Sequence, residues 1–211
     1  MTFETIKTTP IDGQMPGTSG LRKKTRVFME TPFLENFIQA TFDAIGGGAG
    51  KTFVMGGDGR FFNKAAIQTM IKMAAANGAA AVIVGQDGIL STPAASHLIR
   101  LNATDGGFIL SASHNPGGID EDFGVKFNAE NGGPAPEKLT AKIFEATTTI
   151  AEYKISTAKD VDLGAVGETH LGDMVVRVVD PVESYQALME TLFDFDAIRS
   201  LFANGYTMQF D

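Results

Sequence analysis

Ser111-Ala112-Ser113-His114-Asn115-Pro116-Gly117-Gly118 sets hydroxyls, an imidazole and an amide directly after the apolar run Phe108-Ile109-Leu110. A buried strand that ends in such groups is where an α/β protein presents reactive side chains. Ser113 is a candidate nucleophile, and His114 beside it a candidate proton carrier. Pro116 fixes φ and lacks a donor, while Gly117 and Gly118 relax the backbone, so the loop is stiff before its turn and open after it. The same string also describes a plain polar turn closing a strand, and spacing alone leaves both readings open.

A second candidate lies nearer the N-terminus. The net charge of −8 argues against a nucleic-acid partner, which calls for a basic field. Even so, Arg22, Lys23, Lys24 and Arg26 crowd together directly after Gly17-Thr18-Ser19-Gly20. Backbone amides and hydroxyls in such a turn can cradle an oxyanion, and positive charge beside it suits a phosphate. The plainer alternative is a solvated basic face. Asp58 and Arg60 are placed to form an ion pair, and His97 and His170 stand alone.

These groups need a scaffold. A chain of 211 residues, 44% apolar and 20% charged, is long enough for one substantial core or two small ones. It has no cysteine, which excludes disulfides, thiolate metal sites and a cysteine nucleophile and fits a cytoplasmic setting. No apolar run is long enough to span a bilayer and the N-terminus does not read as a signal peptide, so no membrane partner is expected.

The first thirty residues show no strong period. Thr31-Pro32 predicts a helix start, followed by Phe37, Ile38, Phe42 and Ile45 at helical spacing and stopped by Gly46-Gly47-Gly48. Thr52–Met55 reads as a strand, and Asn63 as the cap of a helix carrying Ile67, Met70, Ile71 and Ala74. Ala81–Gly85 is a short, continuously apolar strand, as expected where both faces are covered. A helix after Ser91-Thr92-Pro93, a strand over 107–111, a return strand at Val125-Lys126-Phe127 and a helix from Pro136-Glu137 follow. Such alternation predicts an α/β fold: a three-layer α/β/α domain on a mixed, largely parallel sheet. Met174–Val179 is one more strand, with helices after Pro181 and over Asp194–Phe202. Residues 1–203 read as this domain, and 204–211 as a linker and the first strand of a second, which makes the chain a piece of a longer one.

Together these motifs resemble the α-D-phosphohexomutases, and their phosphoglucomutase branch in particular. Ser111–Gly118 is similar to the family's phosphoserine loop, with serine at 111 where threonine is usual. Gly17-Thr18-Ser19-Gly20-Leu21-Arg22 is similar to the N-terminal signature that sets an arginine in the active site. Phe123-Gly124-Val125-Lys126-Phe127-Asn128 and Asn131-Gly132-Gly133-Pro134-Ala135-Pro136-Glu137 resemble the segments that follow the serine. The Pro116-Gly117-Gly118 form and the long insert before Lys126 favour the glucose branch over the mannose branch.

The resemblance implies an intramolecular phosphotransferase that interconverts glucose 1-phosphate and glucose 6-phosphate through a phosphoserine and glucose 1,6-bisphosphate. Ser113 is then the phosphate carrier, Lys126 and His114 are proton carriers, and Arg22, Ser19 and Asn115 are phosphate or substrate contacts, with Asn115 also reading as a residue that ties the loop down. Mg²⁺ is the implied metal, met in this chain by Ser113 through its phosphate oxygen. The family has four domains, and this chain resembles the first, so domains two to four are the implied partners and hexose phosphates the implied substrates. The metal-binding Asp-x-Asp-x-Asp-Arg loop is not found, since Asp194-Phe195-Asp196 continues to Ile198. The isolated chain is expected to be inactive. Competing readings are a non-catalytic, scaffolding relative, a mutase for mannose or glucosamine phosphate, and a serine hydrolase, for which no Gly-x-Ser-x-Gly elbow is present.

Overall fold

Side chains that alternate along each central strand explain why one sheet carries helices on both faces. The computed structural model describes residues 2–17 and 19–210. In chain order the elements are β1 (Phe3–Lys7), β2 (Leu21–Lys24), α1 (Thr25–Met29), α2 (Phe33–Ala44), β3 (Thr52–Gly57), α3 (Asn63–Ala76), β4 (Ala81–Ile89) and α4 (Thr92–Leu101). They continue with β5 (Gly107–Leu110), β6 (Asp122–Asn128), α5 (Glu137–Thr149), β7 (Glu152–Ser156), β8 (Gly167–Leu171), β9 (Met174–Val179), α6 (Glu183–Leu192) and α7 (Phe195–Ala203). Phe53, Met55, Val82, Val84, Phe108 and Leu110 point to one face, where they join residues of α2, α3 and α5. The intervening Val54, Ile83 and Ile109 point to the other, against Ala94, Ala95, Leu98 and Ile99 of α4. The result is three layers.

The strand order is β2-β6-β5-β3-β4-β9-β8. β5, β3, β4 and β9 run parallel, while β2, β6 and β8 pair antiparallel on the flanks. From β3 the chain passes through α3 to β4 on one side, then returns through α4 to β5 on the other side of β3. The carboxyl ends of β3 and β5 therefore flank the point where strand order reverses, which is where open α/β sheets hold ligands. The segments leaving those two ends begin with Asp58 and Ser111.

Phenylalanines fill the thicker layer. Phe108 lies edge-on to Phe42 at 5.5 Å and to Phe127 at 5.1 Å between ring centroids, and Phe53 packs against all three. Phe108→Ala would open a cavity directly beneath the serine loop. The expected loss is about 3–5 kcal/mol, read as a lowered urea midpoint with an unchanged slope.

Several local expectations need correction. The unpatterned N-terminus contains β1, which pairs with β7 in a separate two-stranded ribbon, and the short α1. The helix expected to be capped by Thr31 starts one residue later, because the Pro32 carbonyl accepts its first bond, from Asn36. Asn63 is the first helical residue of α3 rather than its cap. Phe62 holds the cap position at φ +75°, and the Asn63 side-chain amide donates to the Gly88 carbonyl at 3.0 Å. β4 runs on to Ile89, past the apolar stretch. Residues 206–210, within the 204–211 segment read as a linker and first strand of a second domain, have no regular structure and pair with none of the described strands.

Candidate active site

The loop between β5 and β6 is pinned at both ends by the sheet. The Ser111 amide donates to the Gly124 carbonyl at 2.9 Å, and the Asp122 amide to the Pro116 carbonyl at 3.1 Å. Within the loop Asn115 is half-buried, and its side-chain amide donates to the Asp122 carboxylate at 2.8 Å. That bond ties the loop to β6 and occupies one of the groups expected to meet substrate. Ser113 and His114 stand exposed at the crest.

Ser113 adopts φ +60°, a left-handed conformation rare for residues with a side chain. Its Oγ lies 3.2 Å from His114 Nδ1. Its amide donates to Ser111 Oγ at 3.0 Å, and its carbonyl accepts from Arg60 Nη2 at 3.2 Å. The Arg60 side chain is only 7% exposed; it grips Asp58 through Nε and Nη2, both at 2.9 Å, and sends Nη1 to the Asp122 carbonyl at 2.6 Å. Burial would raise the Asp58 carboxyl, but hydrogen bonds from Arg60 and Ser111 prevail and hold it below the usual carboxylate range.

Beside the loop, β2 and β6 pair Arg22 with Gly124 and Leu21 with Val125. Leu21, Phe123 and Val125 enter the core, which turns Arg22 and Lys126 to the opposite face, toward α4. Lys126 Nζ donates to Thr92 Oγ1 at 3.2 Å, at the start of α4, where the Ser91 hydroxyl caps the helix by accepting from Ala94. Burial, and then the Arg22 charge, push the Lys126 ammonium below the usual lysine range; Asp58 opposes them. Arg22 Nε is buried without a hydrogen-bond partner among the described residues. A buried guanidinium nitrogen without a partner, beside a desolvated lysine, is chemically suited to an anion.

The Gly17–Gly20 turn closes over this face. The two glycines exchange backbone hydrogen bonds at 3.0 Å, and Gly20, at φ +87°, lies so close to β6 that a Cβ would meet Lys126 Cβ at 2.6 Å. Ser19 is exposed in that turn, and Thr18 lies outside the described residues. The basic run divides. Lys24 pairs with Asp122 and Glu121, and Arg26 with Asp120, so both fasten the serine loop and neither is free for a ligand. Sequence reasoning missed Thr92, Asp122 and the reach of Arg60. A helix start and an ion pair were legible at those positions, but not what the fold brings against them.

The family described as phosphoglucomutase/phosphomannomutase, alpha/beta/alpha domain I, matches residues 13–154. The chain belongs to that family. Among relatives, a phosphoglucomutase of Rhizobium radiobacter is 57% identical over 209 residues, covering 99% of this chain and 39% of its own length. One from Schizosaccharomyces pombe is 52% identical over 212 residues, covering 99% of this chain and 38% of its own. The crystal structure of Paramecium parafusin, an exocytosis-sensitive phosphoprotein and phosphoglucomutase seen in an open form, superposes with a TM-score of 0.92 at 42% identity. That match covers 99% of this chain and 40% of parafusin. This member of the phosphoglucomutase/phosphomannomutase family thus spans well under half the length of those relatives. Relatives include proteins named cytoplasmic and proteins named chloroplastic. No helix among the described residues is long and apolar enough to cross a membrane.

Proposed function

We propose that this chain is the phosphoserine-bearing part of a cytoplasmic phosphoglucomutase, with Ser113 as the phosphoryl carrier. The observation that carries the proposal is the exposed Ser113 Oγ, 3.2 Å from His114 Nδ1, at the strand-order reversal and beside the Arg22–Lys126 face. In the forward step the P–Oγ bond of phosphoserine breaks as a P–O bond forms to a hydroxyl of glucose 1- or 6-phosphate. The hydroxyl proton leaves with a base, and the resulting glucose 1,6-bisphosphate returns its other phosphoryl group to Ser113. His114 Nδ1 handles the proton at Ser113 Oγ. Lys126, its ammonium destabilised by burial and by Arg22, serves as a second proton carrier. Arg22, with its unpartnered Nε, holds a phosphate dianion, assisted by Ser19 in the adjoining turn.

The described residues do not by themselves make up a magnesium site: no three carboxylates or imidazoles among them are grouped so that they could hold a metal ion. Asp194 caps α7 by accepting from Ala197, and Asp196 pairs with Arg199, so those two are already engaged. Mg²⁺ is assigned to carboxylates of the longer protein, with a Ser113 phosphate oxygen as this chain's contribution.

The rest of that protein also supplies the partner for α6 and α7. Neither helix has a buried residue, and Leu192, Phe193, Leu201 and Phe202 are all exposed. Apolar surface so concentrated calls for cover, and relatives more than twice as long provide it.

The test is intact mass with peptide mapping after incubation with glucose 1,6-bisphosphate and Mg²⁺, on this chain and on the longer protein in parallel. The longer protein is expected to gain one phosphoryl group on Ser113 and to turn over glucose 1-phosphate. The isolated chain is expected to show negligible turnover, because the other walls of the cleft are missing. An unlabelled longer protein would overturn the phosphoserine reading and favour a non-catalytic role.

A further inference from the structure

We infer that Asp58, Arg60 and Ser111 are positioning residues: they bracket both ends of Ser113, holding it in its left-handed conformation so that Oγ is presented for phosphoryl transfer. The inference rests on the phosphoserine reading above. The amide of Ser113 is held by Ser111 Oγ at 3.0 Å, and its carbonyl by Arg60 Nη2 at 3.2 Å. Asp58 lies between these two clamps. It binds Arg60 through two hydrogen bonds of 2.9 Å, and its own amide donates to the Leu110 carbonyl at 3.0 Å, which fixes it beside Ser111. The depressed Asp58 carboxyl agrees with a charge held by both neighbours.

The bracket is distinct from the anion-facing cations. The Arg60 guanidinium is nearly buried, its charge is met by Asp58, and it also donates to the Asp122 and Ser113 carbonyls. Arg22, by contrast, keeps a buried nitrogen without a partner. A residue with a Cβ occupies φ +60° only where its surroundings over-determine it. Here two side chains from one strand end, the segment after β3, and one from the loop itself supply that constraint. Gly117 leaves room for the bracket, since a Cβ there would lie 3.2 Å from Arg60 Cβ.

A bracket of this kind affects rate more than affinity. Substrate phosphate is gripped elsewhere, whereas in-line transfer depends on where Oγ sits, and a displacement near 1 Å costs about 100-fold. In the longer enzyme carrying this chain, Ser111→Ala is expected to lower kcat about 100-fold while leaving KM for glucose 1-phosphate almost unchanged. Ser111→Thr, which keeps the hydroxyl, restores kcat. Arg60→Ala is expected to behave like Ser111→Ala and to regain part of its rate when guanidinium chloride is added at millimolar concentration. Melting curves accompany each variant, and if Arg60→Ala fails to fold the Ser111 pair decides alone. A folded Ser111→Ala enzyme with wild-type kcat, or one in which KM rises while kcat holds, overturns the bracket even though Ser113 is labelled. A wild-type enzyme that takes no phosphoryl group on Ser113 overturns the bracket together with the reading beneath it.

Discussion

Ser113→Ala in the longer enzyme is expected to abolish phosphoryl uptake from glucose 1,6-bisphosphate and to lower mutase turnover by about 10⁴-fold or more, the scale seen when a covalent nucleophile is removed. The reasoning is local. Ser113 Oγ is exposed, packs against no core residue and meets only the neighbouring imidazole. Alanine loses that contact but keeps the amide and carbonyl that Ser111 and Arg60 hold. The melting temperature should therefore move little, as for surface substitutions in general. Loss of activity with an unchanged melt separates chemistry from folding. A Ser113→Ala enzyme that still gained a phosphoryl group would move the nucleophile elsewhere in the protein.

The second large effect is structural in origin. Gly124→Ala would place a Cβ closer to the Ser111 carbonyl oxygen than a real Cβ approaches another atom, and 3.3 Å from Arg22 Cγ. The first of these is backbone and cannot swing away. Gly124 also accepts the Ser111 amide and pairs with Arg22 in the sheet, so any relief must separate β6 from β2 or from the serine loop. Overpacking at such a point costs about 1–3 kcal/mol, and both site elements move with it. Gly118→Ala is the matched control: its Cβ would meet only the flexible Glu121 side chain, at 3.4 Å. Chemical denaturation and turnover of the two variants, side by side, are expected to show loss of both for Gly124→Ala and neither for Gly118→Ala. Equal stability of the pair would refute the close-approach argument.

The parts of the fold that were legible in the sequence are those where one element carries its own pattern. Val82-Ile83-Val84 is apolar on both faces because helices cover both, and Ile67, Met70 and Ile71 trace a helical stripe on α3. β1 was not legible because its side chains are mostly exposed and its partner β7 lies some 150 residues away, so nothing local records the pairing. β8, exposed from Gly167 to His170, was silent for the same reason. In the site, the serine loop announced itself through its turn residues. Asn115 reads as a residue that ties the loop down as well as one that meets substrate, but that its partner is Asp122 depends on how β6 returns. The basic run shows the limit most clearly. Four like charges in sequence are equivalent until the fold sends Arg22 to the α4 face and hands Lys24 and Arg26 to carboxylates where the loop runs into β6.

The two outermost strands of the seven-stranded sheet have a consequence of their own. An open sheet ends in rows of unpaired backbone groups that invite strand addition by another molecule. Here both borders are short and poorly suited to it. β8 presents exposed polar residues, with Glu168 paired to Arg177, and β2 is four residues long and ends Arg22-Lys23-Lys24. The arginine proposed to hold phosphate thus belongs to a strand whose charge also discourages fibrous self-association, so that neutralising this strand is expected to expose the protein to aggregation as well as to remove the proposed anion contact.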